Sequence, residues 1–552
     1  MLKYIVARMR TLTAEDTAVL LFGVSFFIGI WYALPMVNTI TDVWPFGGGV
    51  LRAMEAHTLL PGYGVDYGTL SFYQNYLAMA IALGFGFVLS GFDFEALKTI
   101  LILNPSYSLL VPRIVSALTS VALLGVVYRF LKVHVQGAQW RLALLMLTFG
   151  SVLTTLLVRS GKMWMLSLLL IVVSFIYLYR AVTEERERGQ LGWLSFTSVI
   201  TAFLAASNFL FAGLFLVNIP VLLFVFWGTP AIWKRLAAMI ALGAAVFLGF
   251  FALNAGNIVE QASGFVMQFF DPGSADAGVR ASLTAFESFM VGARQAVESF
   301  PLLLAALIPV AYAGIRDKTL FSLAALYSVL YMIAVSVVFR ADQGLALNVR
   351  HIAPIGFFLL FLLASCKQPA RFVSRALLLL GFAVYVYTLV LLSIPTTYNA
   401  AYDFIKKQYS GQSIRIDEYI WELTLPMNKA SYELFTDASC GSTCRHMRAL
   451  PEDIAFRPIV VTGDSDETMV AALPPPDILV VERAVPGCVP MARFGNAARD
   501  DEIFDVDINL GRMLLPSFYR LRQLGKNVYL YGGKTCTPAA PFRQSPAAVS
   551  QP

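Results

Sequence analysis

Charged side chains are scarce: Asp, Glu, Lys and Arg make up 14% of the 552 residues, where an ordinary soluble domain carries about 25%. Histidine is scarcer, with four in the whole chain. There is no His-Glu-x-x-His zinc helix, no glycine-rich phosphate loop, and no Asp-x-Asp pair within residues 1–394. These absences argue against a zinc peptidase, a P-loop nucleotidase and a metal-dependent cytoplasmic transferase using nucleotide sugars. A divalent metal is therefore not expected, and no cofactor is indicated. The net charge of +6 is small for this length and gives no reason to expect a nucleic-acid partner. No internal repeat is found. Ionisable residues gather at the ends of apolar runs, which argues against a secondary transporter with charged or broken spans at mid-depth.

What the chain has in excess is apolar surface: 58% hydrophobic residues and a mean hydropathy of +0.68. A soluble protein of this size has no use for so much, so lipid must cover part of it. Eleven runs are long enough to cross a bilayer: Thr17–Met36, Leu109–Phe130, Leu142–Val158, Met163–Tyr179, Leu194–Phe209, Leu210–Trp227, Leu236–Leu253, Phe300–Ile315, Leu320–Phe339, His351–Cys366 and Ala376–Ile394. The first follows Lys3, Arg8 and Arg10, lacks a cleavage site, and reads as a retained signal anchor.

A twelfth run, Leu70–Ser90, decides the parity. The short connectors carrying Arg129/Lys132/Arg141, Arg180/Arg186/Arg188, Lys234/Arg235, Arg316/Lys318 and Lys367/Arg371/Arg375 are all basic. The positive-inside rule puts them in the cytoplasm, which holds only if Leu70–Ser90 does not cross. Tyr73, Gln74, Asn75 and Tyr76 near its start suit an interface better than lipid. The expected fold class is thus a polytopic α-helical membrane protein of eleven spans plus a juxtamembrane helix. It has its N-terminus in the cytoplasm, its C-terminus outside, and the cell (inner) membrane as its place.

Residues 1–394 form the membrane part, with a first outer loop at 37–108. Residues 395–536 read as an extracytoplasmic α/β domain, with strands at Ile459–Thr462, Ile478–Val481 and Val528–Tyr531 and a helix at Arg512–Leu524 ending at Gly525. Residues 537–552 are rich in Pro, Ala, Ser and Gln and read as disordered. Cysteine usage agrees: Cys440, Cys444, Cys488 and Cys536 fall in this exported region, Cys366 in an apolar run. Two disulfides are expected, with all three pairings open. Cys440, Cys444 and His446 could instead begin a metal site, which would still need a fourth ligand.

Asp42, just past the first span, could act as a general base toward a substrate emerging from lipid, or simply cap the next helix. Arg159 and Lys162 are cations on an outer turn, suited to a lipid phosphate or to headgroup anchoring. Arg350 and His351 read the same way, while Arg113 reads as structural. Trp44, Phe46, Tyr63, Tyr67, Phe72 and Tyr73 form an expected interfacial belt, with Tyr67 and Tyr73 also candidates for substrate contact.

Asp42 follows span one, then come a long outer loop, Tyr67-Gly-Thr-Leu-Ser-Phe-Tyr73 before an apolar helix, Arg113-Ile-Val-Ser-Ala-Leu118 opening a span, and Asn348-Val-Arg-His-Ile-Ala-Pro354 opening a late one. This order resembles the GT-C membrane glycosyltransferases, and in pattern the protein O-mannosyltransferases and the lipid A aminoarabinose transferases. Asp42-Val43 and Gly68-Thr69 stand where the family has Asp-Glu and Pro-Pro. The resemblance implies a polyprenyl-phosphate-linked sugar as donor, inverting transfer with Asp42 as base, and Arg159, Lys162, Arg350 and His351 on the phosphate. The partners it implies are membrane lipid, the lipid-linked donor, and a glycan, lipid or protein acceptor. A lipid-linked glycan polymerase or ligase, a transporter, and a non-catalytic scaffold of GT-C descent are the alternatives.

Overall fold

The computed structural model describes residues 13–34, 45–59, 69–103, 106–207, 213–229, 231–252, 285–338, 349–408, 413–417, 457–461, 478–481, 484–485, 487–495, 523–525, 527–532 and 536. In chain order the helices are α1 Ala14–Ser25, α2 Val50–Glu55, α3 Thr69–Leu89, α4 Phe94–Leu103, α5 Ser106–His134, α6 Ala138–Phe149, α7 Val152–Arg159, α8 Trp164–Thr183 and α9 Glu187–Ser207. After them come α10 Gly213–Phe226, α11 Ile232–Ala252, α12 Ala285–Ser299, α13 Pro301–Ala313, α14 Lys318–Val338, α15 Ala353–Ala364, α16 Arg371–Ser393 and α17 Thr397–Gln408. Among the described residues six helices are long and apolar enough to cross a membrane, or eight if each of two bent pairs is one span.

One end of the bundle gathers the basic connectors. At the start of α1, Asp16 accepts from Lys132 Nζ and Tyr128 Oη, both at 2.6 Å. Glu15 beside it receives a two-pronged contact from Arg141. The turn after α13 pairs with the turn after α15, Arg316 N donating to Ser365 O and Lys367 N to Gly314 O, each at 2.9 Å. Tyr179 Oη reaches Asp317 at 2.7 Å, and Arg235 Nη2 reaches Gln190 at 2.6 Å. The five basic turns therefore share one end.

The opposite, far end receives the end of α16, where Asn399 Nδ2 donates to Leu34 O at 2.9 Å. It is also where α5 begins, since a continuous helix of 29 residues covers roughly 43 Å at 1.5 Å per residue. The chain is thus at the far end both at Leu34 and at Ser106. Leu70–Leu89 passes the length and composition test for a span, yet the excursion containing it starts and finishes at one end. Gln74 of α3 donates to Thr119 of α5 at 2.9 Å.

Two expected spans are not single straight helices, and a third begins at a sharp bend. The run Leu142–Val158 is broken into α6 and α7 with a 65° bend, because Ser151 stops the first helix and caps the second through Thr154 N. A helix, α12, lies in the stretch between the expected spans Leu236–Leu253 and Phe300–Ile315 and meets α13 at 84°, with Pro301 supplying a helix start. The first run, Thr17–Met36, is helical only to Ser25. Of the aromatics expected at the interface, Phe72 is buried beside Val50, Ala53 and Met79, and Phe46 is buried in the main core of the bundle, while Trp44, Tyr63 and Tyr67 lie outside the described residues. Pro45–Gly49 makes a π-helical turn around Phe46, and Gly47 fits because an added Cβ would lie 2.7 Å from Ser108 O.

Four polar side chains deep in the bundle bond to one another. Ser174, Thr201, Asn218 and Tyr327 form a chain across α8, α9, α10 and α14, the arrangement a lipid-embedded polar group needs.

The C-terminal region contains a five-stranded sheet of Ser413–Asp417 (β1), Arg457–Val461 (β2), Ile478–Val481 (β3), Ala492–Phe494 (β4) and Val528–Gly532 (β5), in the order β2-β1-β3-β5-β4. β2, β1 and β3 run parallel, and β5 and β4 are antiparallel additions. α17 lays Tyr398, Ala401 and Ile405 on Ile478, Val480, Val528 and Leu530, the i, i+3, i+7 spacing of one helix face. Leu479, Val481, Tyr529 and Tyr531 are buried on the other face. Both faces are covered, which is why β3 reads as an unbroken apolar run. Cys488 and Cys536 are joined in a disulfide, with Cα atoms 6.0 Å apart. Cys366 is free and buried. Cys440, Cys444, His446 and residues 512–522 of the expected helix lie outside the described residues.

Candidate functional site

The first span sets the geometry of the far end. After Ser25 the backbone continues to Leu34 as successive turns, closed by bonds such as Ile28 N to Ser25 O at 3.0 Å and Tyr32 N to Gly29 O at 3.1 Å. Gly29 has φ +82° and Ala33 φ +57°. Such turns leave carbonyl oxygens without the i+4 partner a helix would give them, and inside a membrane no water replaces it.

Side chains from three distant parts of the chain supply the donors. Arg159 donates from Nε to Ile28 O at 2.6 Å, from Nη2 to Ser25 O at 3.0 Å, and from Nη1 to Thr155 O at 2.7 Å. Arg113 Nη1 donates to Ile30 O at 2.9 Å and Tyr32 O at 2.7 Å. Asn399 takes Leu34 O, and Ser25 Oγ meets Tyr385 Oη at 2.6 Å. A planar guanidinium with five N–H donors fits several carbonyls at once. Both arginines are fully buried. Arg159 is thus not on a solvated outer turn, and three of its nitrogens are committed to backbone.

Two residues beyond Arg159, Gly161 turns the chain with φ +71° and Lys162 follows, itself 5% exposed. Trp164 then opens α8. Its ring carries the Arg350 guanidinium 5.0 Å from the centroid and meets the His351 ring edge-on at 5.7 Å. Arg350 and His351 lie on a single 3₁₀ turn, Val349–Ile352, that Pro354 converts into α15. Tyr331 Oη fixes this turn through His351 O at 2.7 Å. The result is a cluster of one guanidinium and one imidazole on a single indole, with His351 and the neighbouring Lys162 both buried.

Of the expected site residues, the structure brings Arg350 and His351 together through Trp164, with Lys162 two residues from that indole. Tyr73 is half-buried on α3, 5.5 Å from the Phe72 ring, with no described contact to this cluster. Asp42 and Tyr67 lie outside the described residues. Trp164, Tyr331, Tyr385 and Asn399 were not singled out from sequence. Asn399, just past an apolar run, was an available signal, but it does not say which carbonyl it serves, and Tyr331 and Tyr385 lie inside apolar runs, where no such signal exists.

No protein-family model matches the chain, and no curated protein matches it. Its fold is similar to that of ArnT from Cupriavidus metallidurans, crystallised bound to undecaprenyl phosphate. The TM-score is 0.50 at 11% identity, over 85% of this chain and 93% of that one. The apo-state structure of the same protein gives a TM-score of 0.49 at 11% identity, over 95% and 100%. The GT-C resemblance carried by the ordered motifs thus extends to the fold.

Proposed function

We propose that this chain is an integral membrane glycosyltransferase that takes its sugar from a polyprenyl-phosphate donor and transfers it at the far end of the bundle. In this reading the far end faces outside the cytoplasm, the membrane part of residues 1–394 crosses eleven times, and residues 395–536 form the domain over the acceptor side. The observation that carries the proposal is the Trp164–Arg350–His351 cluster, with the buried Lys162 two residues from its indole, in a fold similar to that of a protein crystallised with undecaprenyl phosphate. Cations held out of water bind a phosphate far more strongly than solvated ones.

Asp42 follows the clamped segment by eight residues, counting from Leu34. It would take the proton of an acceptor hydroxyl as that oxygen attacks the anomeric carbon. The bond from that carbon to the phosphate oxygen breaks, and polyprenyl phosphate leaves with the electron pair. One displacement inverts the anomeric centre, as in inverting glycosidases. Lys162, Arg350 and His351 would stabilise the phosphate charge. Arg159 acts one step back, as a positioning residue that fixes the backbone leading to Asp42.

Asp42→Asn keeps the size of the side chain and removes the base. Turnover by purified, folded protein should fall by about 10²–10⁴-fold with donor binding nearly unchanged. Wild-type turnover in that variant would remove Asp42 as the base. A polymerase, ligase or scaffold would then be the better reading.

A further inference from the structure

At the end of the bundle holding the basic connectors, away from the cluster just described, a cavity of about 410 Å³ lies between α5 and α8. That volume is within the range of small-molecule sites, roughly 300–1,000 Å³. Val126, Arg129, Phe130 and Val133 line it from α5, and Val173, Ile176, Tyr177 and Arg180 from α8. These positions fall at i, i+3, i+4 and i+7 on both helices, so each presents one face to the gap. Both helices run toward the same end, and both become basic there.

The chemistry is split along the groove. Val126 and Ile176 lie about one turn before the arginines and Val173 about two turns, deeper in the span, and Val133 is 77% exposed. Arg129 and Arg180 are exposed, and among the described residues neither is paired with a carboxylate. Arg180 lies 5.0 Å above the Trp193 ring, and Tyr177 stacks on that ring at 5.6 Å. His134 is also in the lining, stacked on Phe130 at 4.3 Å. The nearby carboxylate, Asp317, is taken up by Tyr179 Oη at 2.7 Å and Leu320 N at 2.9 Å. The balance of free charge is positive.

We propose that this groove binds an anionic glycerophospholipid, its phosphate between Arg129 and Arg180 and its upper acyl chain along Val126, Val173 and Ile176. A soluble phosphate compound would use the arginines and leave the apolar wall bare. A zwitterionic lipid would use the wall and gain little from two unpaired guanidinium groups. The site is independent of the transfer reaction and of the far-end cluster. Basic pockets between spans at a membrane surface recognise headgroups of this kind.

The test uses the full chain purified in detergent, with lipid occupancy read by native mass spectrometry against phosphatidylglycerol and phosphatidylethanolamine. Phosphatidylglycerol should bind in preference. Arg129→Gln with Arg180→Gln should weaken it by about thirty-fold, each cation contributing about a factor of five, while the Lys pair at both positions should retain most of the binding. Val173→Trp fills the groove with both charges intact and should also reduce occupancy. This variant keeps the proposal testable if the Gln pair fails to fold. Equal binding of the two lipids, wild-type affinity in the Gln pair, or wild-type affinity in Val173→Trp overturns it. So does displacement of the lipid by millimolar glycerol phosphate, which would make the ligand a soluble anion.

Discussion

Arg159 Nε donates to the carbonyl of Ile28 at 2.6 Å across 131 residues of chain. That bond, with its companion to Ser25, ties a turn in the first span to α7, where Arg159 also bonds Thr155 O, and adds to the local hydrogen bonds of that turn. Its loss is therefore felt directly by the backbone of that turn.

Arg159→Leu should destabilise the protein by about 2–4 kcal/mol, since hydrogen bonds from a charged donor are worth about 1.5–3 kcal/mol each in proteins and less inside membranes. Arg159→Lys keeps a charge but not the planar fork, and should fall between. Unfolding midpoints in mixed detergent compare the three. A Leu variant as stable as wild type would mean the carbonyls find other donors.

Gly29 sits in the same turn with φ +82°, and an added Cβ would stand 2.9 Å from Leu392 Cβ. Gly29→Ala should cost about 2–4 kcal/mol, from the left-handed backbone and from overpacking together. Gly125, in the middle of α5 with nothing within 4 Å of its missing Cβ, is the control. Gly125→Ala should be neutral or stabilising by up to about 1 kcal/mol. Thermal unfolding of both variants separates site from residue type.

Asp16 is held below the usual carboxylate range, first by the Lys132 ammonium, then by the hydroxyls of Tyr128 and Thr13. A carboxylate whose folded pKa is depressed stabilises the fold above its unfolded pKa of about 3.9, and that contribution fades as pH falls below it. The stability difference between wild type and Asp16→Asn should be constant from pH 7 to 5 and shrink below about pH 4. A difference that grows on acidification would contradict the ion pair.

Arg350→Ala should weaken binding of a polyprenyl-phosphate ligand and lower turnover together, because a phosphate contact exists in both ground and transition states. Trp164→Leu should do so more mildly by loosening Arg350, while Trp164→Phe keeps a ring face and should restore most of the binding. Ligand affinity measured by microscale thermophoresis decides this. Unchanged affinity in Arg350→Ala would take the cluster out of donor recognition.

Non-reducing peptide mapping should recover Cys488 linked to Cys536. Replacing Cys488 with Ser should cost about 2–4 kcal/mol. Cys366 should alkylate only after unfolding, because it is buried among the paired turns after α13 and α15. Alkylation of Cys366 in the native protein would contradict that burial.

The sequence by itself determined the membrane class, most helix positions and the sides of the sheet, because apolar runs and their spacing are local. Trp164–Thr183 and Lys318–Val338 lie within a few residues of where hydropathy puts them, and Ile478–Val481 is a strand over those four residues. The apolar face of α17 follows from the spacing of Tyr398, Ala401 and Ile405 in the same way. The clamp at the far end could not be read like this. Nothing between Ser25 and Leu34 except Gly29 signals a break, and a 20-residue apolar run reads as one helix. Arg159 read as an exposed cation because its partners are carbonyl oxygens near residue 28, and a carbonyl leaves no mark in sequence. The meeting of Trp164 with Arg350 and His351 depends on the end of α7 meeting the start of α15, contacts that join chain segments nearly 190 residues apart in number. Tertiary structure decided these features because each rests on which backbone groups are left unpaired once the helices have packed.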